Sequence, residues 1–316
     1  MSKPCLIGLD WGTSSLRAYL LGHNASLLDT RTQPWGIQYT PDRDFARAYR
    51  LLLEDWLAQW PDLPAIASGM IGSRQGWREV PYVDCPADAS ALAAGMARLE
   101  TGVGLLHLVP GVRQLAGRHN VLRGEETQVI GALALKPELA DNALLLLPGT
   151  HSKWVDVSEG RLQAFSTFMT GELFAVLRDH SILGRPALES GAISDLQTFI
   201  RGVQTARDSG SRGIADCLFG VRSLVLCNEL QPNQSLEYLS GLLIGEELRC
   251  ALGSSQASPA LTPILLGDPS LCARYCVALE TFGVQAPEAL ENPGSAGLWQ
   301  IAQAAGLVTV KEVQGA

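Results

Sequence analysis

The sequence predicts an α/β fold in two lobes, on three observations. Apolar strand-like runs alternate with stretches of helical spacing along the chain. A three-strand meander occurs twice, once as "LDWGTSSLRAYLL" followed by "ASLLDTRTQPWG" and again as "LLPGTHSKWVDV" followed by "GRLQAFSTFMTG". At 316 residues, with 47% hydrophobic and 18% charged content, the chain can bury one large core or two cores that meet across a cleft, and the repeat favours two.

The elements follow in order. "CLIGLDW" and "SSLRAYLL" read as strands joined by the turn Trp11-Gly12-Thr13-Ser14-Ser15, with "ASLLDTRTQ" as the third strand. "DFARAYRLLLEDWLAQW" (44–60) has helical spacing, and "PAIASGMIGS" reads as a strand running into a loop. "ETQVIGALAL", "SLEYLSGLLIGEELRCAL" and "LCARYCVALETFG" read as helices. The last, "GSAGLWQIAQAAGL", follows Asn292-Pro293 and is expected to pack back on the first lobe. Setting Gly12 against Gly149 also sets Thr13 against Thr150 and Ser15 against Ser152, which puts one meander in each lobe. The expected boundaries are 1–122, with 294–316 returning to it, and 123–293. No low-complexity linker separates them, so a hinge in short segments is expected.

Charge and cysteine usage narrow the partners. A formal net charge of −8 disfavours nucleic-acid and anionic-membrane surfaces, so an acidic ligand must be held by local donors. Small molecules are the expected partners. Seven scattered cysteines read as reduced packing residues, and Cys272 and Cys276 have no second Cys or His pair near them to complete a zinc site. The N-terminus lacks a signal-peptide apolar region and no later window reaches membrane-spanning length, so the expected location is the cytoplasm.

The chemistry lies in the turns. Glycine lets a backbone approach closely and Ser or Thr adds donors without bulk, so Gly12, Thr13, Ser14 and Ser15 suit phosphate oxygens, as do Gly149, Thr150 and Ser152. Asp10, just before the first turn, suits a hydrated Mg²⁺ held between carboxylate and phosphates. The plainer alternative makes Asp10 a turn cap and the hydroxyls turn formers.

These two motifs resemble the phosphate motifs of the actin, sugar kinase and Hsp70 superfamily. "SGMIGSRQGWREVPYVDCPA", "RGEETQVIGAL", "FMTGELFAVLRDHSILGR" and "LLGDPSLCARYCVALETFGV" carry a closer resemblance, running almost end to end, to the 2-dehydro-3-deoxygalactonokinase family. The resemblance implies a two-lobed actin-like ATPase (ribonuclease H-like) fold. It implies ATP and Mg²⁺ as cofactors and a 2-keto-3-deoxy sugar acid as acceptor, phosphorylated at the 6-hydroxyl; it alone decides for the galactonate-derived epimer. A homodimer is left open.

Such kinases need a carboxylate to accept the hydroxyl proton. "RGEET" offers Glu125 and Glu126 at a helix start; adjacent side chains diverge by about 100° on a helix, so one is expected to face the substrate, and Glu125 is favoured. Both could instead serve the helix dipole. The acceptor is an anion, which Arg74 in "GSRQGWRE" would hold, with Ser73 and Gln75 as polar readers and Trp77 beside them. Arg123 ranks between Arg74 and the more peripheral Arg17 and Arg78. From the second lobe, Thr170 and Gly171, followed by Glu172, end the repeated meander where they could reach sugar or phosphate. One of His151 and Lys153 is expected to contact nucleotide. "LLGDPSL" resembles an adenosine loop, giving Gly267, although Asp268 and Pro269 replace its second glycine; Gly241 and Gly245 complete the nucleotide set. The rival readings are a kinase for another sugar or sugar acid, an exopolyphosphatase-like phosphohydrolase, and a non-catalytic sensor or assembly protein.

Overall fold

The computed structural model describes residues 3–210, 213–254, 261–285, 288–291 and 293–309. Asn292 and residues 310–316, which the sequence reading assigned to the lead-in and tail of the last helix, lie outside the described residues. Contacts divide the chain into two units: Met1–Ala143 with Val155–Phe165 and Asn292–Ala316, and Leu144–Trp154 with Ser166–Glu291.

In unit 1 the chain opens with β1 (Pro4–Trp11), β2 (Leu16–Gly22) and β3 (Leu27–Gln33), paired antiparallel in turn. Then come α1 (Phe45–Gln59) and β4 (Ala65–Ser68), which pairs parallel to β1. Asp44 caps α1 by accepting from Arg47 N at 2.9 Å, and Ala48, Tyr49, Leu52, Leu53 and Trp56 form its buried stripe. There follow β5 (Val83–Asp84), α2 (Ala89–Ala94), β6 (Ala97–Glu100), β7 (Leu105–Leu108), β8 (Val112–Gln114), β9 (Asn120–Leu122) and α3 (Glu125–Leu135). The main sheet has the order β3-β2-β1-β4-β7-β6.

Next are β10 (Asn142–Leu147), β11 (Ser152–Ser158) and β12 (Arg161–Phe168), which repeat the opening meander. Five helices succeed them: α4 (Thr170–His180), α5 (Arg185–Ser190), α6 (Leu196–Arg207), α7 (Ile214–Leu226) and α8 (Ser235–Ser254). The chain ends with β13 (Ile264–Leu266), α9 (Pro269–Thr281), β14 (Glu288–Leu290) and α10 (Pro293–Ala304). The second large sheet runs β12-β11-β10-β13-β14, and β13 is parallel to both β10 and β14. The first five strands of the main sheet, β3-β2-β1-β4-β7, therefore share their order with the second sheet, meander reversed and then parallel strands, and β6 adds an antiparallel edge to the main sheet alone.

The contact division assigns α3 to unit 1, whereas the sequence boundary at 122/123 separates them. The physical reason is a glycine contact with α10. A Cβ on Gly131 would stand 1.7 Å from Pro293 O, and one on Gly297 would stand 1.8 Å from Thr127 O, so the two backbones touch where side chains are missing. α10 also covers β1, with Leu298 against Gly8.

This contact yields a test. Alanine improves helix propensity by up to about 1 kcal/mol over glycine, yet Gly131→Ala should lose at least 2 kcal/mol to overpacking against fixed backbone. Urea unfolding measures the difference; a variant as stable as the parent removes the glycine contact as the reason α3 sits in unit 1.

Candidate active site

Within unit 1, three loops converge. Asp10 stands next to last on β1, opposite Arg17 on β2 and beside Ser68 on β4. Its carboxyl is half-buried, which raises its pKa while the Arg17 charge lowers it, and it accepts no hydrogen bond among the described residues. In the turn beyond it Gly12 N donates to Ser15 O at 2.9 Å, leaving Thr13 and Ser14 exposed and Ser15 half-buried. Gly69 (φ +96) lies so close to β1 that a Cβ there would stand 2.7 Å from Trp11 O. Gly124 closes the group from the α3 side, a Cβ on it standing 3.2 Å from Gly69 Cα.

The loop from Gly69 to Val80 is held by its own backbone: Gly76 N donates to Ser73 O, Trp77 N to Ile71 O, and Val80 N to Gly72 O. Ser73 Oγ accepts from Gln75 N, which leaves Arg74 and Gln75 exposed. Trp77 is different. Its ring packs edge-on to Trp11 at 6.3 Å and against Tyr49 at 5.9 Å, so it anchors the loop in the core instead of reading substrate. Arg123 is buried, stacks on Tyr82 at 4.4 Å and donates to Val80 O at 2.8 Å, tying this loop to the start of α3.

The two acids there differ sharply. Glu125 is half-buried, and its Oε2 accepts from Arg123 N at 2.9 Å. Glu126 is 1% exposed, with Oε2 accepting from Gly124 N at 2.7 Å and Oε1 from Thr127 Oγ1 at 3.2 Å. Burial, reinforced by the Glu125 charge, pushes the Glu126 carboxyl up to about 7. Glu125 can meet a substrate hydroxyl. Glu126 cannot do so without leaving its pocket.

Within unit 2, the Gly149-Thr150 turn abuts the start of α4: a Cβ on Gly171 would stand 2.5 Å from Gly149 O, and Glu172 N donates to Thr150 O at 3.0 Å. His151 is exposed and bonded to Glu172. Ser152 and Lys153 both turn inward. Ser152 Oγ bonds Tyr275 Oη at 2.9 Å and Lys153 Nζ donates to Thr167 Oγ1 at 2.9 Å, so neither has the exposed position expected of a phosphate donor. Thr150 and His151 keep theirs.

Beside this turn lies a cavity of about 590 Å³, within the size range of ligand pockets. Gly149, Thr150, Thr170 and Gly171 form one end; Phe174, Ile193, Leu243 and Ile244 give apolar wall; Arg178, Ser194, Glu237, Ser240, Arg274 and Tyr275 are its polar groups. Arg274 is fixed by Glu237 Oε2 at 2.9 Å, by Ser240 Oγ at 3.0 Å and by the Phe199 ring at 4.2 Å. Apart from the Gly149-Thr150 turn and the α4 start, the sequence reading missed this wall, because it is assembled from the loop at 192–194 and from α4, α8 and α9, which are far apart in the chain. Gly241 and Gly245, expected in the nucleotide set, are corrected: a Cβ on Gly241 would meet Phe199 O at 2.0 Å and one on Gly245 would meet Val203 O at 2.9 Å, so both serve the packing of α8 on α6. Gly267 follows β13 with φ +142 near Pro148 O, and Asp268 caps α9 by accepting from Leu271 N.

The sequence profile of the 2-keto-3-deoxy-galactonokinase family matches residues 10–301. The probable 2-dehydro-3-deoxygalactonokinase of Rhizobium meliloti (strain 1021) is 35% identical over 286 residues, covering 87% of this chain and 89% of its own. The 2-dehydro-3-deoxygalactonokinase of Escherichia coli (strain K12) is 34% identical over 280 residues, covering 88% and 90%. A crystal structure of a Sinorhizobium meliloti protein of the same enzyme name superposes with a TM-score of 0.83 at 33% identity, covering 95% of this chain and 98% of that one. The fold is of the actin-like ATPase class, shared at 11% identity and a TM-score of 0.51 with the activator of 2-hydroxyisocaproyl-CoA dehydratase from Clostridium difficile.

The raised Glu126 carboxyl has a consequence for stability. Its folded-state pKa stands near 7 against an ordinary 4.5, so its contribution is full below about pH 4.5 and is lost as pH rises through 7. Glu126→Gln, which mimics the protonated form, should therefore gain on the parent with rising pH, by roughly 3 kcal/mol between pH 4.5 and 8. Urea midpoints across that range measure this; a constant difference would show that Glu126 does not titrate there.

Proposed function

The chain belongs to the 2-keto-3-deoxy-galactonokinase family, and from that premise we propose how its residues divide the work of passing the γ-phosphoryl group of ATP to 2-dehydro-3-deoxy-D-galactonate. The protein is a sugar-acid kinase. The observation that carries the division is the cavity of unit 2: an apolar wall with a few polar groups suits a nucleoside, and it ends at the Gly149-Thr150 turn and the first turn of α4, where backbone N–H groups suit its phosphates.

In unit 1, Thr13 and Ser14 are the exposed hydroxyls of the first phosphate turn. Asp10 would hold Mg²⁺: a half-buried carboxylate that accepts no hydrogen bond suits a hard cation, and one protein carboxylate is enough for an ion that keeps its waters and takes phosphate oxygens. When bound, that cation supplies neutralisation of the phosphate charge. Arg74 is exposed, without a hydrogen-bond or ion-pair partner among the described residues, on a loop that its own backbone bonds hold; it is assigned the substrate carboxylate. Glu125 takes the proton of the attacking hydroxyl, and the Arg123 N–H fixes its direction. Seven free cysteines support a reducing, cytoplasmic setting. No described helix is long and apolar enough to cross a membrane.

The test is ADP release from ATP with a panel of 2-keto-3-deoxy sugar acids. Turnover is expected with the galactonate-derived acid; ADP release without any acceptor would instead indicate a phosphohydrolase, and none with any acid would end the kinase reading. Glu125→Gln should lower kcat about 10²–10⁴-fold with nucleotide affinity unchanged, whereas an undiminished kcat would move the base elsewhere. Arg74→Met should raise KM for the sugar acid at least tenfold while KM for ATP stays within twofold.

A further inference from the structure

Glu247 lies on α8, in a stretch the sequence marks as a helix without giving this residue a role, and is 2% exposed. Withdrawing a carboxylate from water costs several kcal/mol, so a buried acid persists only where donors offset that loss. Here they come from three other elements. Trp154 Nε1 on β11 donates to Oε1 at 2.8 Å; Tyr275 Oη on α9 donates to Oε2 at 2.6 Å; Thr170 Oγ1, the first residue of α4, donates to Oε2 as well. Tyr275 Oη in turn bonds Ser152 Oγ, at the start of β11. Burial pushes the Glu247 carboxyl up and the donors pull it down.

Two of these donors, Thr170 and Tyr275, line the cavity. A third element of the network, β11, carries the Gly149-Thr150 turn at its start. One carboxylate thus joins the strand leaving the phosphate turn, the first residue of α4 and the cavity wall from α9. We propose that Glu247 is a positioning residue for the nucleotide: it fixes the phosphate turn and the α4 start relative to the nucleoside wall, so that one rigid ligand can meet all of them at once. It touches no substrate itself. Its neighbour Glu246 has another task, pairing with Arg249 on the same helix.

The inference rests on the nucleotide assignment to this cavity, not on the identity of the sugar acid, and ADP binding by calorimetry tests it apart from turnover. Wild-type protein that turns over no sugar acid but binds ADP leaves it standing; wild-type protein that binds no ADP overturns it. In Glu247→Gln the amide oxygen can still accept from Trp154, but the NH₂ in place of Oε2 donates, so Tyr275 Oη and Thr170 Oγ1 must reverse from donors to acceptors and lose the charge that held them. Tyr275→Phe keeps the ring in the cavity wall and removes only the hydroxyl. Each variant is expected to weaken ADP binding and raise KM for ATP at least tenfold, with KM for the sugar acid within twofold and the melting temperature without nucleotide within a few degrees of the parent. A variant that melts earlier yet binds ADP as the parent does, or that shifts both KM values equally, overturns the proposal by showing a merely structural role. Should Glu247→Gln fail to fold, Tyr275→Phe decides alone, and unchanged ADP affinity in it overturns the proposal.

Discussion

A carboxylate taken out of water must find donors or a cation, and three acids of this protein meet that constraint in three ways. Glu247 is satisfied by three side-chain donors. Glu126 has a backbone N–H and a hydroxyl, and is left with a raised carboxyl pKa. Asp10 accepts nothing among the described residues. The degree of satisfaction orders their roles: the fully bonded acid holds other elements in place, the partly bonded one braces a helix start, and the unbonded one is open to a cation. Adjacent acids are separated by the same logic, since Glu125 is half-buried and accepts from the Arg123 backbone N–H, whereas Glu126 faces inward.

Much of this architecture was legible in the chain. The meander repeats as read, and both large sheets share its order because each Gly-Thr turn joins two runs whose residues are buried on the sheet. The helix starts at Glu125 and Thr170 also stand where the sequence put them. Alternation failed at Ser152 and Lys153. A strand covered on both faces buries consecutive residues, so the period-2 rule no longer says which side chain meets solvent. Gly241 and Gly245 misled for a related reason: a glycine needed for helix contact and one needed for a ligand look alike in sequence, and only the 2.0 Å clash with Phe199 O separates them.

The cavity was not legible beyond its Gly149-Thr150 end. Ile193, Glu237 and Arg274 come from different elements, and none belongs to a local pattern. Arg274 could have been guessed as a surface charge, yet the Phe199 ring and Glu237 hold it in the wall. Glu247 was hidden differently. In "GEEL" either acid could face the core, because helical spacing around a helix buried on several sides marks no single inner face.

Net charge sets the last condition. A chain of charge −8 that binds two anions gains nothing from its overall field, so attraction must come from short-range, pre-oriented groups. Two of the cations near the described sites are already committed, Arg274 to Glu237 and Lys153 to Thr167, and Arg123 is buried, bonding Val80 O through Nη2 alone. Arg74 has no such commitment among the described residues, and its mobility is limited by the loop that carries it, which Trp77 pins to Trp11 and Tyr49. Trp77 would thereby serve the recognition proposed for Arg74 by holding its loop: an exposed guanidinium on a slack loop would lose to ordering entropy much of what its bidentate bond contributes, while one on an anchored loop retains it.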